Sequence, residues 1–117
     1  MTIEEVAHRL ETRVLHPGAP AGAQLCHAVA SDRMSDLLER ASPQTLLVTT
    51  LATPQLIDMA ELMDVAAVCV VAAPPDGCPF LLAVARSRVA VVVSPHSVEE
   101  TLRRLAELLA TEAPASP

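Results

Sequence analysis

The chain has neither lysine, tryptophan nor tyrosine, and a single phenylalanine, Phe80, among its 117 residues. Without lysine there is no side-chain amine to form a Schiff base or act as a nucleophile, and no lysine to complete a phosphate-binding loop. Without tryptophan or tyrosine there is no ring platform on which a nucleobase or another flat substrate could stack. Glycine is equally scarce: Gly18, Gly22 and Gly77 are the only three. No Gly-x-Gly-x-x-Gly follows any strand-like run, and Gly18-x-x-x-Gly22 has no lysine after it, so both common nucleotide-cradling loops are missing. The three cysteines, Cys26, Cys69 and Cys78, show no Cys-x-x-Cys spacing, and an odd number in a reducing compartment reads as free thiols. The longest apolar run, Val65 to Ala73, is nine residues, where a membrane-spanning helix needs about 20.

All eight basic residues are arginines, scattered along a chain of net charge -6. Binding to a polyanion depends on clustered cations, so nucleic acid is not an expected partner. The N-terminus, "MTIEEVAHRLE", is acidic and amphipathic and lacks the basic start and apolar core of a secretory signal. A cytoplasmic protein without membrane association is expected. His8, His16, His27 and His96 lack the short helical spacing with acidic neighbours that a metal site would show, so neither a metal nor another cofactor is expected.

Against these absences stands a regular pattern. Thr45–Thr50 ("TLLVTT"), Ala66–Ala73 ("AAVCVVAA") and Val89–Ser94 ("VAVVVS") are apolar, β-rich runs at intervals of about 22 residues, and continuous apolar runs suit strands covered on both faces. "RVLH" (Arg13–His16) and "LCHAVA" (Leu25–Ala30) are further strand candidates, separated by the loop Pro17–Gln24. Helical patterns lie between. Thr2-Ile3-Glu4-Glu5 and Ser97-Val98-Glu99-Glu100 are capping boxes, and Thr53-Pro54 pairs a cap with a first-turn proline. Apolar residues at Met34, Leu37, Leu38 and Ala41, at Leu56, Ile57, Met59, Ala60 and Met63, and at Leu102, Leu105, Leu108 and Leu109 follow helical spacing. Pro79–Arg86 makes a shorter helix opened by proline.

Strand and helix in alternation imply right-handed crossovers and a parallel sheet. The expected fold class is α/β: a small Rossmann-like sandwich with a mainly parallel sheet and helices on its faces. One domain is expected over 1–110, with a flexible C-terminal tail over 111–117. In such sheets ligands sit beyond the carboxyl ends of the strands, here Ala30-Ser31-Asp32, Thr49-Thr50, Ala72-Ala73-Pro74 and Ser94-Pro95-His96.

The stretch "VASDRMSDLLERA" leaves two readings open. Its Ser-Asp pairs, Ser31-Asp32 and Ser35-Asp36, either cap the helix that starts there, where carboxylates favour the positive end of the dipole, or present hydroxyls and carboxylates to a ligand. A Ser-His-Asp set can be written from Ser31 or Ser35, His96 and Asp32, but no Gly-x-Ser-x-Gly elbow accompanies it.

The blocks "VASDRMSDLLER", "TLLVTTLATPQLIDMAELMDVAAVCVV" and "VAVVVSPHSVEET", taken in order, resemble the stand-alone DRTGG-domain proteins of bacteria and archaea over most of residues 2–110. The resemblance implies a Rossmann-like accessory module similar to the N-terminal domain of HPr kinase/phosphorylase, also found in phosphotransacetylases and CBS-domain pyrophosphatases, without established chemistry and associating as homodimers. Its matching positions are Ser31, Asp32, Ser35 and Asp36, then Thr49, Thr53, Pro54 and Gln55. Many members of that family carry glycines near the ends of the two central strands. This chain has Thr49-Thr50-Leu51 and Val71-Ala72-Ala73, which weakens any transfer of phosphate binding.

The expectation is a non-catalytic regulatory or interaction module that senses a small polar ligand or meets a protein partner at the strand C-terminal edge, with Ser31, Asp32, Ser35, Thr49, Thr50, Thr53 and His96 as candidate ligand-binding residues. The alternative is a small enzyme using Ser31, Asp32 and His96 on a phosphate-containing or acyl substrate. A homodimer is expected as well, because Met34, Leu51, Met59, Met63 and Phe80 fall at element ends or flanks that one sheet need not cover.

Overall fold

The computed structural model describes residues 2–18 and 24–112. Among these residues five helices and six strands follow in the order α1 (Ile3–Leu10), β1 (Arg13–His16), β2 (His27–Ala30), α2 (Met34–Arg40), β3 (Thr45–Thr49), α3 (Pro54–Leu62), β4 (Ala67–Val71), α4 (Pro79–Arg86), β5 (Ala90–Ser94), α5 (Val98–Leu105) and β6 (Ala110–Glu112). The strands form one sheet in the order β1-β5-β4-β3-β2-β6, parallel throughout except for β1, which runs antiparallel to β5.

The chain path dictates where the helices lie. From β2 to β5 each crossover advances one strand in the same direction, and right-handed connections then place α2, α3 and α4 on one face. The step from β5 to β6 returns across the whole parallel sheet, so α5 goes to the opposite face, where it meets α1. Packing follows this division. Leu37, Leu56, Ile57, Ala60, Phe80 and Val84 cover Val29, Leu47, Val68, Val70 and Val91 on one side. Val6, Leu10, Leu105 and Leu109 cover Ala28, Ala30, Leu46, Val48, Ala67, Cys69, Ala90 and Val92 on the other. Most of the strand residues on the second face are small, namely Ala28, Ala30, Ala67, Cys69 and Ala90, so much of the bulk in that layer comes from α1 and α5.

Caps read from sequence are present: Thr2, Thr53 and Ser97 accept the amides of Glu5, Leu56 and Glu100 at 3.3, 3.4 and 3.1 Å. On α5 the Arg103 guanidinium, hydrogen-bonded to Glu100 through two contacts of 2.6 Å, holds that carboxyl below its ordinary range. Gly18, at φ +80, closes the end of β1 against β5; a Cβ there would sit 2.8 Å from that of Ala90.

Two expectations change. Ala110–Glu112 pairs in parallel with β2, so the sheet takes in Thr111 and Glu112, which had been read as the start of the tail; residues 113–117 lie outside the described residues. Second, Met59 and Phe80 are core residues rather than interface candidates, while Met34, Leu51 and Met63 are partly buried against the same core. The exposed large apolar side chains are Val14, Leu38, Leu62 and Leu82, so Leu38 does not join the buried stripe of α2. Residues 19–23 of the loop Pro17–Gln24 lie outside the described residues. Among the described residues no helix is long and apolar enough to cross a membrane.

Cys69 lies in the small-residue face with no exposed surface. Burial pushes its thiol from an ordinary 9.0 up to about 12, against a smaller lowering by a backbone hydrogen bond from Ser94. Between those values the unfolded chain has lost the proton and the folded chain still holds it. Stability therefore falls as pH rises through that window, with a slope approaching ~1.4 kcal/mol per pH unit. With neither lysine nor tyrosine in the chain, few other side chains titrate there. Urea unfolding at pH 8.0, 9.5 and 10.5 is expected to show this loss in the native sequence and a flatter profile in Cys69→Ala; equal slopes would contradict it.

Candidate functional site

The C-terminal edge of the sheet has two parts, and the candidates divide between them. At the β2–β3 end, the Ser31 amide donates to the Val48 carbonyl at 3.1 Å, extending the ladder that pairs Ala30 with Val48. Ser31 and Thr49 thus stand side by side at the same end, as expected. Their hydroxyl oxygens, however, already take part in local hydrogen bonds. Ser31 Oγ accepts the Arg33 amide at 3.0 Å and donates to Asp36 Oδ2 at 3.1 Å. Thr49 Oγ1 accepts the Leu51 amide at 3.0 Å, and Thr53 Oγ1 caps α3. Ser31 and Asp36, one member of each Ser-Asp pair, therefore hold the turn into α2. Ser31 reaches across five residues to the carboxylate of the first helical turn, and the residue at the N-cap position, Arg33, gives no side-chain cap. Asp32, Ser35 and Thr50 are exposed along the same edge.

At the β4–β5 end lies an open cleft of about 510 Å³, within the range of roughly 300–1,000 Å³ common for small-ligand sites. Its position follows from topology. β4 delivers the chain to α4 on one face and its neighbour β5 delivers it to α5 on the other, and the point where adjacent crossovers part is where open α/β sheets bind ligands. Val71, Ala72 and Ala73 form one wall; Val93, Ser94 and Pro95 form the other. Arg13 enters because antiparallel pairing sets it opposite Val93, and Glu11 enters as the C-cap of α1. His96 and Ser97 complete the lining.

The turn from β5 into α5 is fixed by a chain of buried hydroxyls. The His96 amide donates to Ser94 Oγ at 3.1 Å, Ser94 Oγ lies 2.7 Å from Thr101 Oγ1, and Thr101 Oγ1 donates to the Ser97 carbonyl at 2.7 Å. Since the Thr101 proton goes to Ser97, the Ser94 proton goes to Thr101, and both fully buried hydroxyls are satisfied. The His96 ring is anchored by Nε2 against the Leu10 carbonyl at 3.3 Å, tying the β5–α5 turn to the end of α1. That bond requires the proton on Nε2 in the neutral ring, leaving Nδ1 as an acceptor.

Backbone strain concentrates in this cleft. Glu11, Asp64 and Ala72 are the non-glycine residues with positive φ among those described, at 57°, 54° and 74°, and two of the three line it. Ala72 stands at the end of a central strand, where the DRTGG resemblance leads one to expect glycine. The chain keeps a glycine-like conformation there with a methyl group attached.

His96 is thus the one sequence-derived candidate in the cleft, and β2 lies three strands from β5, about 14 Å at ~4.8 Å per strand. Ser31 and Asp32 therefore do not converge with His96. Glu11, Arg13, Ala72 and Ala73 were not singled out as ligand-binding residues. Only the antiparallel placement of β1 brings Arg13 in, and no local motif encodes it. Among the described residues no group of three His, Cys, Asp or Glu side chains is placed to hold a metal.

No family model and no curated protein sequence matches the chain. In fold it is similar to the CBS and DRTGG domains of the regulatory region of Clostridium perfringens pyrophosphatase, a structure complexed with the activator diadenosine tetraphosphate. The TM-score is 0.71 at 13% identity, over 93% of this chain and 47% of that one. The chain thus spans about half the length of that regulatory region, and the likeness establishes a shared fold.

Replacing Ala72 by glycine relieves a positive φ that costs an L-residue ~1–2 kcal/mol, and loses ~0.4–1 kcal/mol through the freer unfolded chain. Ala72→Gly is expected to raise stability by about 0.5–1 kcal/mol in urea unfolding; a loss of stability would contradict the strain at this position.

Proposed function

We propose that the protein is a non-catalytic regulatory module of the DRTGG kind that senses a small polar ligand at the C-terminal edge of its sheet. The observation that carries this reading is the cleft at the β4–β5 switch point, rimmed by charged and hydroxyl side chains and walled by small apolar ones. Likeness to a regulatory region solved with a nucleotide activator supports it. His96 has the central place among the binding residues. Asp32, Ser35 and Thr50 extend the polar edge toward β2, available to a ligand longer than the cleft, and Ser31, Thr49 and Thr53 shape that edge by holding its turns. Catalysis by Ser31, Asp32 and His96 is disfavoured by the three-strand separation and by the commitment of the Ser31 proton to Asp36.

A second copy of the chain is the partner that the surface favours. Leu62, 82% exposed at the end of α3, and Leu82, 58% exposed near the start of α4, lie on adjacent helices. Asp58 and Glu61 make α3 acidic, and Arg86 closes α4 with positive charge. A two-fold axis that covered both helices would bury these leucines against a second copy.

Two measurements test these proposals. In heteronuclear NMR titrations with polar metabolites, a ligand is expected to shift the amides of 71–73 and 94–97 saturably and to be recovered unchanged. Conversion of the ligand that Ser31→Ala and His96→Ala both abolish would establish the enzyme instead. In sedimentation equilibrium the native chain is expected as a dimer at micromolar concentration, and Leu62→Asp as a monomer. A native monomer at all concentrations refutes the dimer.

A further inference from the structure

The cleft is lined by charges of both signs. Glu11 is a carboxylate at the C-terminal end of α1, and Arg13 a guanidinium two residues on; neither side chain has an ion-pair or hydrogen-bond partner among the described residues. One helix ends at this cleft and another begins there. α1 arrives with its carbonyl end, which carries partial negative charge, and α5 departs from Ser97 with its amide end, which carries partial positive charge. Glu100, in the first turn of α5, does not cancel that positive end freely, since its carboxylate is engaged by Arg103 and lies 3.8 Å from Arg104. Neither Glu99 nor Glu100 lines the cleft. A helix C-cap in the left-handed conformation is usually glycine. Here the position is held by Glu11, which places a charged side chain at the cleft in spite of the backbone cost. The apolar part of the lining is small: Val71, Ala72, Ala73 and Val93.

A pure anion would meet Glu11 and the end of α1 unfavourably, and a pure cation would meet Arg13 and the start of α5 in the same way. A ligand with both charges satisfies both. We propose that this cleft binds a small zwitterion of the amino-acid class, its carboxylate at Arg13 and the start of α5, its ammonium at Glu11 and the end of α1, and its apolar part on the valine and alanine lining. The assignment rests on the reading of the β4–β5 edge as the sensing site and gives that site its ligand class.

The test is an NMR titration of the full chain with each of the twenty protein amino acids, followed, for the tightest binder, by its amide, which keeps only the positive charge, and its N-acetyl derivative, which keeps only the negative one. The zwitterion is expected to shift amides 71–73 and 94–97, and each derivative to bind ~10-fold or more weakly for the loss of one charge-assisted contact. Arg13→Gln is expected to remove the preference over the amide, and Glu11→Gln the preference over the N-acetyl form. Both positions are exposed, and the spectra report whether each variant is folded. An N-acetyl derivative or amide that binds as tightly as the parent overturns the proposal. So does silence from all twenty amino acids while another polar metabolite shifts the same amides, which leaves the sensing site standing. Silence from every polar metabolite at this edge removes both.

Discussion

The fold depends on a sheet that must be covered on both faces. Each of β2 to β5 is joined to the next by a crossover, and parallel strands joined in this way have no face left for water. Every residue of β3 and β5 is buried, hydroxyls included. That requirement explains the continuous apolar runs, and it also explains how they differ between faces. Side chains alternate across the pleat, and this chain puts alanine and cysteine mostly on the side of α1 and α5, and valine and leucine on the side of α2, α3 and α4. Two helices cover a wide sheet by approaching small residues with their own leucines. Three helices cover the other face by meeting branched residues already there.

The same path creates the cleft. Because the chain advances from β2 to β5 along one face and returns along the other, β4 and β5 are the adjacent strands whose exits diverge. The gap at their ends is therefore a consequence of strand order. The buried Ser94–Thr101 hydroxyl chain and the bond from His96 to Leu10 hold one wall of that gap to the core and to α1. Polar groups buried this way hold a shape when every donor and acceptor is used, and here they set the angle at which α5 leaves β5.

Much of this was legible in the residues themselves. Proline at the first turn bounded α3 and α4, and α4 spans Pro79–Arg86 as read. The three apolar runs are adjacent parallel strands within a residue or two of the boundaries drawn. What could not be read depends on distant pairing. β6 has no apolar signature, Arg13 reaches the cleft through an antiparallel partner eighty residues away, and strand order separates Ser31 from His96. The Ser-Asp pairs misled in part for a related reason. Their types suit caps and ligands alike, and what Ser31 does is decided by a turn that brings it to Asp36 rather than to a helix amide.

The central claim is that the divergence of β4 and β5 makes the binding site, in preference to the hydroxyl-rich edge at β2 and β3. Methyl-labelled protein in the presence of a bound metabolite separates the two through intermolecular nuclear Overhauser contacts. The account predicts contacts from ligand protons to the methyls of Val71, Ala72, Ala73 and Val93. Contacts to Thr49, Thr50 and Thr53 with none to those four would contradict it.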